Sequence, residues 1–471
     1  MRSSRRQFLR ATAALAGIPS LNAVTPSLAW AAVPKRLVAA PAVKRIVGAD
    51  KAETPVWAYD GQVPGPVLRL ALGERLQVEF ENRLPQPTTL HWHGMRVPNG
   101  MDGVPDLTQA PVKPGEKFDY AFAVRNSGTF WYHPHFATSE QQDRGLHGVI
   151  VVPEHNPPPV DRDLVWALDD WRLGPKGLIV DDFGDLHDIS HQGRFGNTAT
   201  INGRVPPDFH VRAGERLRLR LVNVANAWIF ALDFQHHQPL VIAYDGHAVP
   251  PHAPPGGLVV VGPSQRVDII VDMIKRPGER FEIVDRYLPR SVYKLTDLVY
   301  DDEPLRAAPP DQAPRLDPPD LPEPELAGAK RHELRFSGGA MGGMRSAMYR
   351  GKETGIRELA GSGKVWAING VVASRHDEPP MLNLKLGRSY LLDLVNDTAF
   401  PHPVHLHGHP FKVLEVSGIK LARTTWRDTL LLAPRSRATV AMVADNPGKW
   451  MLHCHIPEHQ EAGMMTVVAV E

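Results

Sequence analysis

The chain has 471 residues, a formal net charge of +1, 42% hydrophobic residues and 22% charged residues. Such a length suits about three domains with full cores, and the near-zero charge leaves no basic footprint for nucleic acid. The 45 prolines and 39 glycines favour short strands and turns over long helices, and a lone cysteine excludes an intrachain disulfide.

Residues 1–32 read as a targeting segment. Ser4-Arg5-Arg6-Gln7-Phe8-Leu9-Arg10 is a twin-arginine pattern, followed by an apolar stretch over 11–18 and small residues around Ala31-Ala32. The apolar stretch is too short for a permanent membrane span. The expectation is twin-arginine export to a bacterial periplasm, with no stable membrane anchor.

An internal repeat follows. Residues 68–82, 209–223 and 382–396 each place a glycine (Gly73, Gly214, Gly387) nine residues ahead of an asparagine (Asn82, Asn223, Asn396), with an alternating strand between. A second repeated strand covers 117–124, 265–272 and 437–443. Alternation bounded by glycine turns predicts an all-β chain of three tandem Greek-key β-sandwich domains, over 40–155, 160–300 and 331–471. Residues 301–330 form a linker, with eight prolines between Pro304 and Pro324.

Histidine pairs fall at fixed places in this repeat. Nine residues past Asn82 and Asn396 stand His91 and His405, and two further on His93 and His407; the same count in the middle copy reaches Leu232 and Phe234. The first copy adds His133-Pro134-His135 and the third His453-Cys454-His455. Residues i and i+2 of a strand share a face, so each pair can aim two imidazoles at one site. Eight imidazoles from two related domains imply a metal cluster at their interface, with the middle domain a spacer or a substrate wall.

Cys454 must point away from its two flanking histidines. Close by in the sequence are His459 and Met464, and His402 opens the His402–His409 run. One thiolate, imidazoles and a weak thioether form the ligand set of an electron-transfer copper site. Zinc prefers closed four-ligand sites and has no redox role, so it fits the interdomain histidines poorly.

These four segments resemble, in order, the copper-binding motifs of the multicopper oxidases, a family that includes laccases and cuprous oxidases. The resemblance runs from about residue 40 to the end and implies cupredoxin domains and four copper ions. It assigns a type 2 copper to His91 and His405, and two type 3 coppers to His93, His133, His135, His407, His453 and His455. The type 1 copper falls to His402, Cys454, His459 and Met464. Met464 as a weak axial ligand implies a low-to-middle redox potential for the family.

The implied reaction takes single electrons from a small-molecule or metal-ion reductant and passes them to O₂, which becomes water. Asp102 matches an acid that family enzymes use near the cluster. Many bacterial relatives carry a glutamate where this chain has Gln460, which puts a second proton route in doubt; Glu458 and Glu461 flank it. A laccase-like oxidase of phenols and aromatic amines is the leading expectation, and a periplasmic Cu(I) oxidase the alternative. Met341, Met344 and Met348 bear on that alternative but read as gap-filling residues of a glycine-rich loop. A copper-free scaffold is the remote reading, since all twelve ligand positions are filled. His236-His237 reads as surface, Met465 as core, and the chain as a monomer.

Overall fold

The computed structural model describes residues 36–48 and 51–471. The targeting segment expected over residues 1–32 lies outside the described residues.

Three sandwiches follow one another. The first packs a four-stranded sheet containing Arg75–Asn82 against another containing His91–His93 and Gly128–His133. The middle and third sandwiches each pack a six-stranded sheet against a five-stranded one, and each sandwich has its own apolar core. The repeated strands are Arg75–Asn82, Arg216–Asn223 and Ser389–Asn396.

The recurring asparagine does the same work each time. Asn82 Oδ1 accepts from Leu84 N at 2.9 Å while Nδ2 donates to Gln86 O and Val112 O. Asn223 does so with Ala225, Trp228 and Val261, and Asn396 with Thr398, Phe400 and Ala433. A buried amide that saturates loop carbonyls fixes how the chain leaves the strand. That sets where the residue nine positions later arrives.

The proline-rich segment is strapped to all three sandwiches. Asp320 O and Asp317 Oδ2 accept from Asn126 and Asn156, Gln312 O accepts from Arg216 at 2.6 Å, and Glu325 N donates to Ser389 Oγ at 2.9 Å. His237 departs from the surface expectation. It is buried, with Nε2 2.7 Å from the Tyr300 hydroxyl, whereas His236 is exposed.

Candidate metal centres

Strand pairing brings the histidines together. His91 lies opposite His133 in the first sandwich, and His405 lies opposite His453 in the third, in the same antiparallel register. In the middle sandwich the equivalent pair is Leu232 opposite Asp285. Alternation along a strand accounts only for His91–His93. The other three pairs straddle a strand end: Pro134 cannot donate to a ladder, Gly408 turns the chain at φ +67°, and Pro457 opens a helix just past His455.

The rings then interleave across the interface of the first and third sandwiches. His91 stacks on His407 at 4.0 Å between centroids, and His93 on His405 at 3.8 Å. His133 meets His455 at 4.9 Å and His135 meets His453 at 5.2 Å. Each contact has its pseudo-twofold mate. Ligand atoms of His91, His405 and His407 lie within 4.8 Å of one another, as do those of His135, His407 and His453.

Three outer ring nitrogens are held by backbone oxygens, whereas His135 Nδ1 and His455 Nδ1 have no partner. Nδ1 of His91, His405 and His453 sit 2.8–2.9 Å from the backbone oxygens of Asp102, Asp428 and Cys454. Inside, His91 Nε2, His93 Nδ1, His135 Nε2 and His405 Nε2 are buried without a partner. His407 Nε2 faces His453 Nε2 at 3.1 Å, and His455 Nε2 faces His133 Nε2 at 3.3 Å. Burial and the neighbouring imidazoles drive the rings of His93, His133, His135, His405, His407 and His455 well below the usual histidine range. Neutral rings with unpaired lone pairs converging on one space are costly unless a cation takes them. The donor set fits copper.

The second group lies on the other side of residue 454. His402 Nδ1 is 3.4 Å and His459 Nδ1 3.6 Å from Cys454 Sγ, and the two nitrogens are 3.1 Å apart. Burial pushes the Cys454 thiol up, a bias that a bound cation reverses by taking the thiolate. Met464 closes the loop: its carbonyl accepts from Cys454 N at 3.1 Å and its N–H donates to His459 O at 2.9 Å. Met465 packs in a different cluster, with Val104, Ala373 and Met451.

Sequence models of the multicopper oxidase family match residues 42–157, 163–299 and 353–471. The chain belongs to the multicopper oxidases. It is 30% identical to multicopper oxidase MmcO of Mycobacterium tuberculosis, over 87% of this chain and 82% of that one. It is 26% identical to laccase-1 of Cryptococcus neoformans, over 91% and 79%. A solved multicopper oxidase from Pseudomonas thermotolerans superposes with a TM-score of 0.80 at 34% identity, covering 93% and 98%. Like its family, the chain is a copper-dependent oxidoreductase. Among the described residues no helix is long and apolar enough to cross a membrane.

One acid beside the paired histidines, Asp102, was expected from the sequence, and a second, Asp428, was not. Asp102 is buried, with Oδ2 2.8 Å from His407 Nδ1 and Oδ1 3.3 Å from His91 Nδ1. A second acid, Asp428, makes the reverse crossing, from the third sandwich to His93 Nε2 of the first at 3.2 Å. Only its place after a Trp-Arg pair at a strand end hints at it. Glu458 accepts from Asn226, and Glu461 accepts from Ser139 N and Oγ; burial pushes Glu458 up to about 8. Gln460 is buried on the same short helix.

The three methionines part ways. Met341 is 73% exposed, next to Ala340 whose N–H donates to Ser190 O; Met344 is partly buried against the cluster of Ala347, Leu359, Ala367 and Val372; Met348 sits in a strand.

Proposed function

We propose that this enzyme holds four copper ions, with the eight paired histidines around a trinuclear centre and His402, Cys454, His459 and Met464 around a type 1 centre. The observation that carries the reading is the division at 453–455, where Cys454 serves one donor group and its two covalent neighbours serve the other. Copper bound there supplies one-electron redox chemistry, linking oxidation of a reductant to four-electron reduction of O₂ to water. Thr398 Oγ1 contacts His402 Nε2 at 2.7 Å and His191 O accepts from His459 Nε2 at 2.8 Å, which orients both rings with Nδ1 toward the thiolate. Asp102, between His91 and His407, is placed to deliver protons. We also propose export by the twin-arginine route and a monomeric state.

For the reductant we propose phenols and aromatic amines. His459 is fully buried beneath the middle domain's helix Leu186–Ser190, whose partly exposed surface carries His187 and His191 stacked at 4.0 Å, with Phe400 against His191. Flat rings over the type 1 ligands suit an aromatic electron donor. The exposed thioether of Met341 beside Ser190 favours Cu(I) as the second reading. Steady-state oxidation of a phenol and of Cu(I), at matched protein and copper loading, decides between them. A higher kcat/KM for the phenol is expected. A higher value for Cu(I), reduced by Met341→Ala, would reverse the order.

A further inference from the structure

A histidine that offers one nitrogen to a metal must keep its proton on the other, and something must hold that proton. For His93 the offered atom is Nδ1. Its Nε2–H points to Asp428 Oδ1 and Thr429 Oγ1, both at 3.2 Å. The backbone oxygen of Asp428 accepts from His405 Nδ1 at 2.8 Å. One residue of the third sandwich therefore fixes a ring from each of the two ligand-bearing domains.

What fixes Asp428 comes from the domain without histidine pairs. Arg266 Nη1 donates to Asp428 Oδ1 at 2.7 Å and Nη2 to Oδ2 at 2.5 Å, a two-pronged fork. The rest of the guanidinium is committed as well. Nε donates to Thr129 O of the first sandwich at 3.1 Å, and Nη2 to Asp245 O at 3.0 Å. Arg266 is fully buried. Room for it is made by Gly94, directly after His93. A Cβ there would lie 2.3 Å from Arg266 Nη2 and 2.6 Å from Asp428 Oδ2.

We propose that Arg266 is a positioning residue for the trinuclear centre: the middle domain, which supplies no ligand, locks the acid that sets the tautomer of His93 and backs His405. The inference rests on the copper reading of the eight histidines. A plain interdomain ion pair would look similar, and the molecule contains one for comparison. Arg218 is equally buried and forks onto Glu154 and Asp268, but the side-chain bonds of those acids go to Arg218, Arg220 and Thr129 and not, as those of Asp428 do, to a histidine.

The test compares copper-loaded wild type, Arg266→Lys, Asp428→Asn and Arg218→Lys. Readouts are copper retained against a chelator, the type 2 signal by electron paramagnetic resonance, and the blue type 1 absorption. Arg266→Lys and Asp428→Asn should hold the copper of the paired histidines about 10–100-fold more weakly, with an altered type 2 hyperfine splitting and an intact blue band. Arg218→Lys should lower the melting temperature while leaving the type 2 signal as in wild type. Asp428→Asn keeps an acceptor for Arg266 and so reports even if Arg266→Lys fails to fold. Wild-type type 2 signals and retention in both cluster variants would overturn the proposal, as would equal cluster-copper loss in Arg218→Lys. Wild-type protein that loads no copper on the paired histidines would instead remove the reading beneath it.

Discussion

The first and third sandwiches share with the middle one a strand, a clamping asparagine and a cross-strand register, yet differ in what stands nine residues later. His91 and His405 occupy that place at the ends, opposite His133 and His453; Leu232 occupies it in the middle, opposite Asp285. Leu232 is core, and Asp285 is tied to Trp228 Nε1 at 2.8 Å and Tyr293 Oη at 3.0 Å. The scaffold therefore folds without metal ligands at these positions. Where they are present, their inner nitrogens are left unpaired inside a packed interface, a cost that metal binding offsets.

The largest expected effect separates the two donor groups of the third domain. Cys454→Ser should abolish the blue absorption and turnover with any reductant while copper stays on the paired histidines. A blue Cys454→Ser protein would remove the type 1 assignment. Next comes Asp102→Asn, which keeps the shape between His91 and His407 and removes the titratable group. Reoxidation by O₂ should slow by about 10²–10⁴-fold, with anaerobic bleaching of the blue band unchanged. Unchanged reoxidation in rapid mixing would leave Asp102 a turn residue that holds a ring.

In the middle domain the effects should fall on stability alone. Leu232→Ala is expected to cost about 2–5 kcal/mol in unfolding free energy, with wild-type copper content. Copper loss from a folded Leu232→Ala protein would mean that the repeats are out of register. Smaller still is the effect of Asp170, whose carboxyl burial raises to about 7. The folded chain then holds a proton that the unfolded chain releases near pH 4. Stability is full at the acid end and is lost as pH rises through about 7. Asp170→Asn should flatten that fall in melting temperature between pH 4 and 8; a slope equal to wild type would contradict it.

Much of this was open to reading in the sequence because it is local. Counting from Asn82 and Asn396 finds His91, His93, His405 and His407, and the split between Cys454 and its two neighbours follows from adjacency. Asp428 and Arg266 escaped because no local pattern links either to the histidines it serves: His93 and Asp428 are 335 residues apart. The alternating Arg216–Asn223 strand shows the same limit. Arg216, Arg218 and Arg220 alternate with apolar residues as on a solvated face, but the whole strand is buried, because Glu154 and Thr129 of the first sandwich and the proline-rich segment cover it. Period 2 identifies a face without saying whether water or another domain lies against it.

The measurement that bears most directly on two copper centres sharing residues 453–455 is the copper-to-chain ratio of the wild-type holoprotein, taken with its integrated paramagnetic resonance signal. The expected result is about four copper ions per chain, with about half of them visible, as one type 1 and one type 2 signal beside a coupled, silent pair. A ratio near one, or a type 1 signal unaccompanied by any type 2 signal, would contradict the assignment of the eight paired histidines to copper.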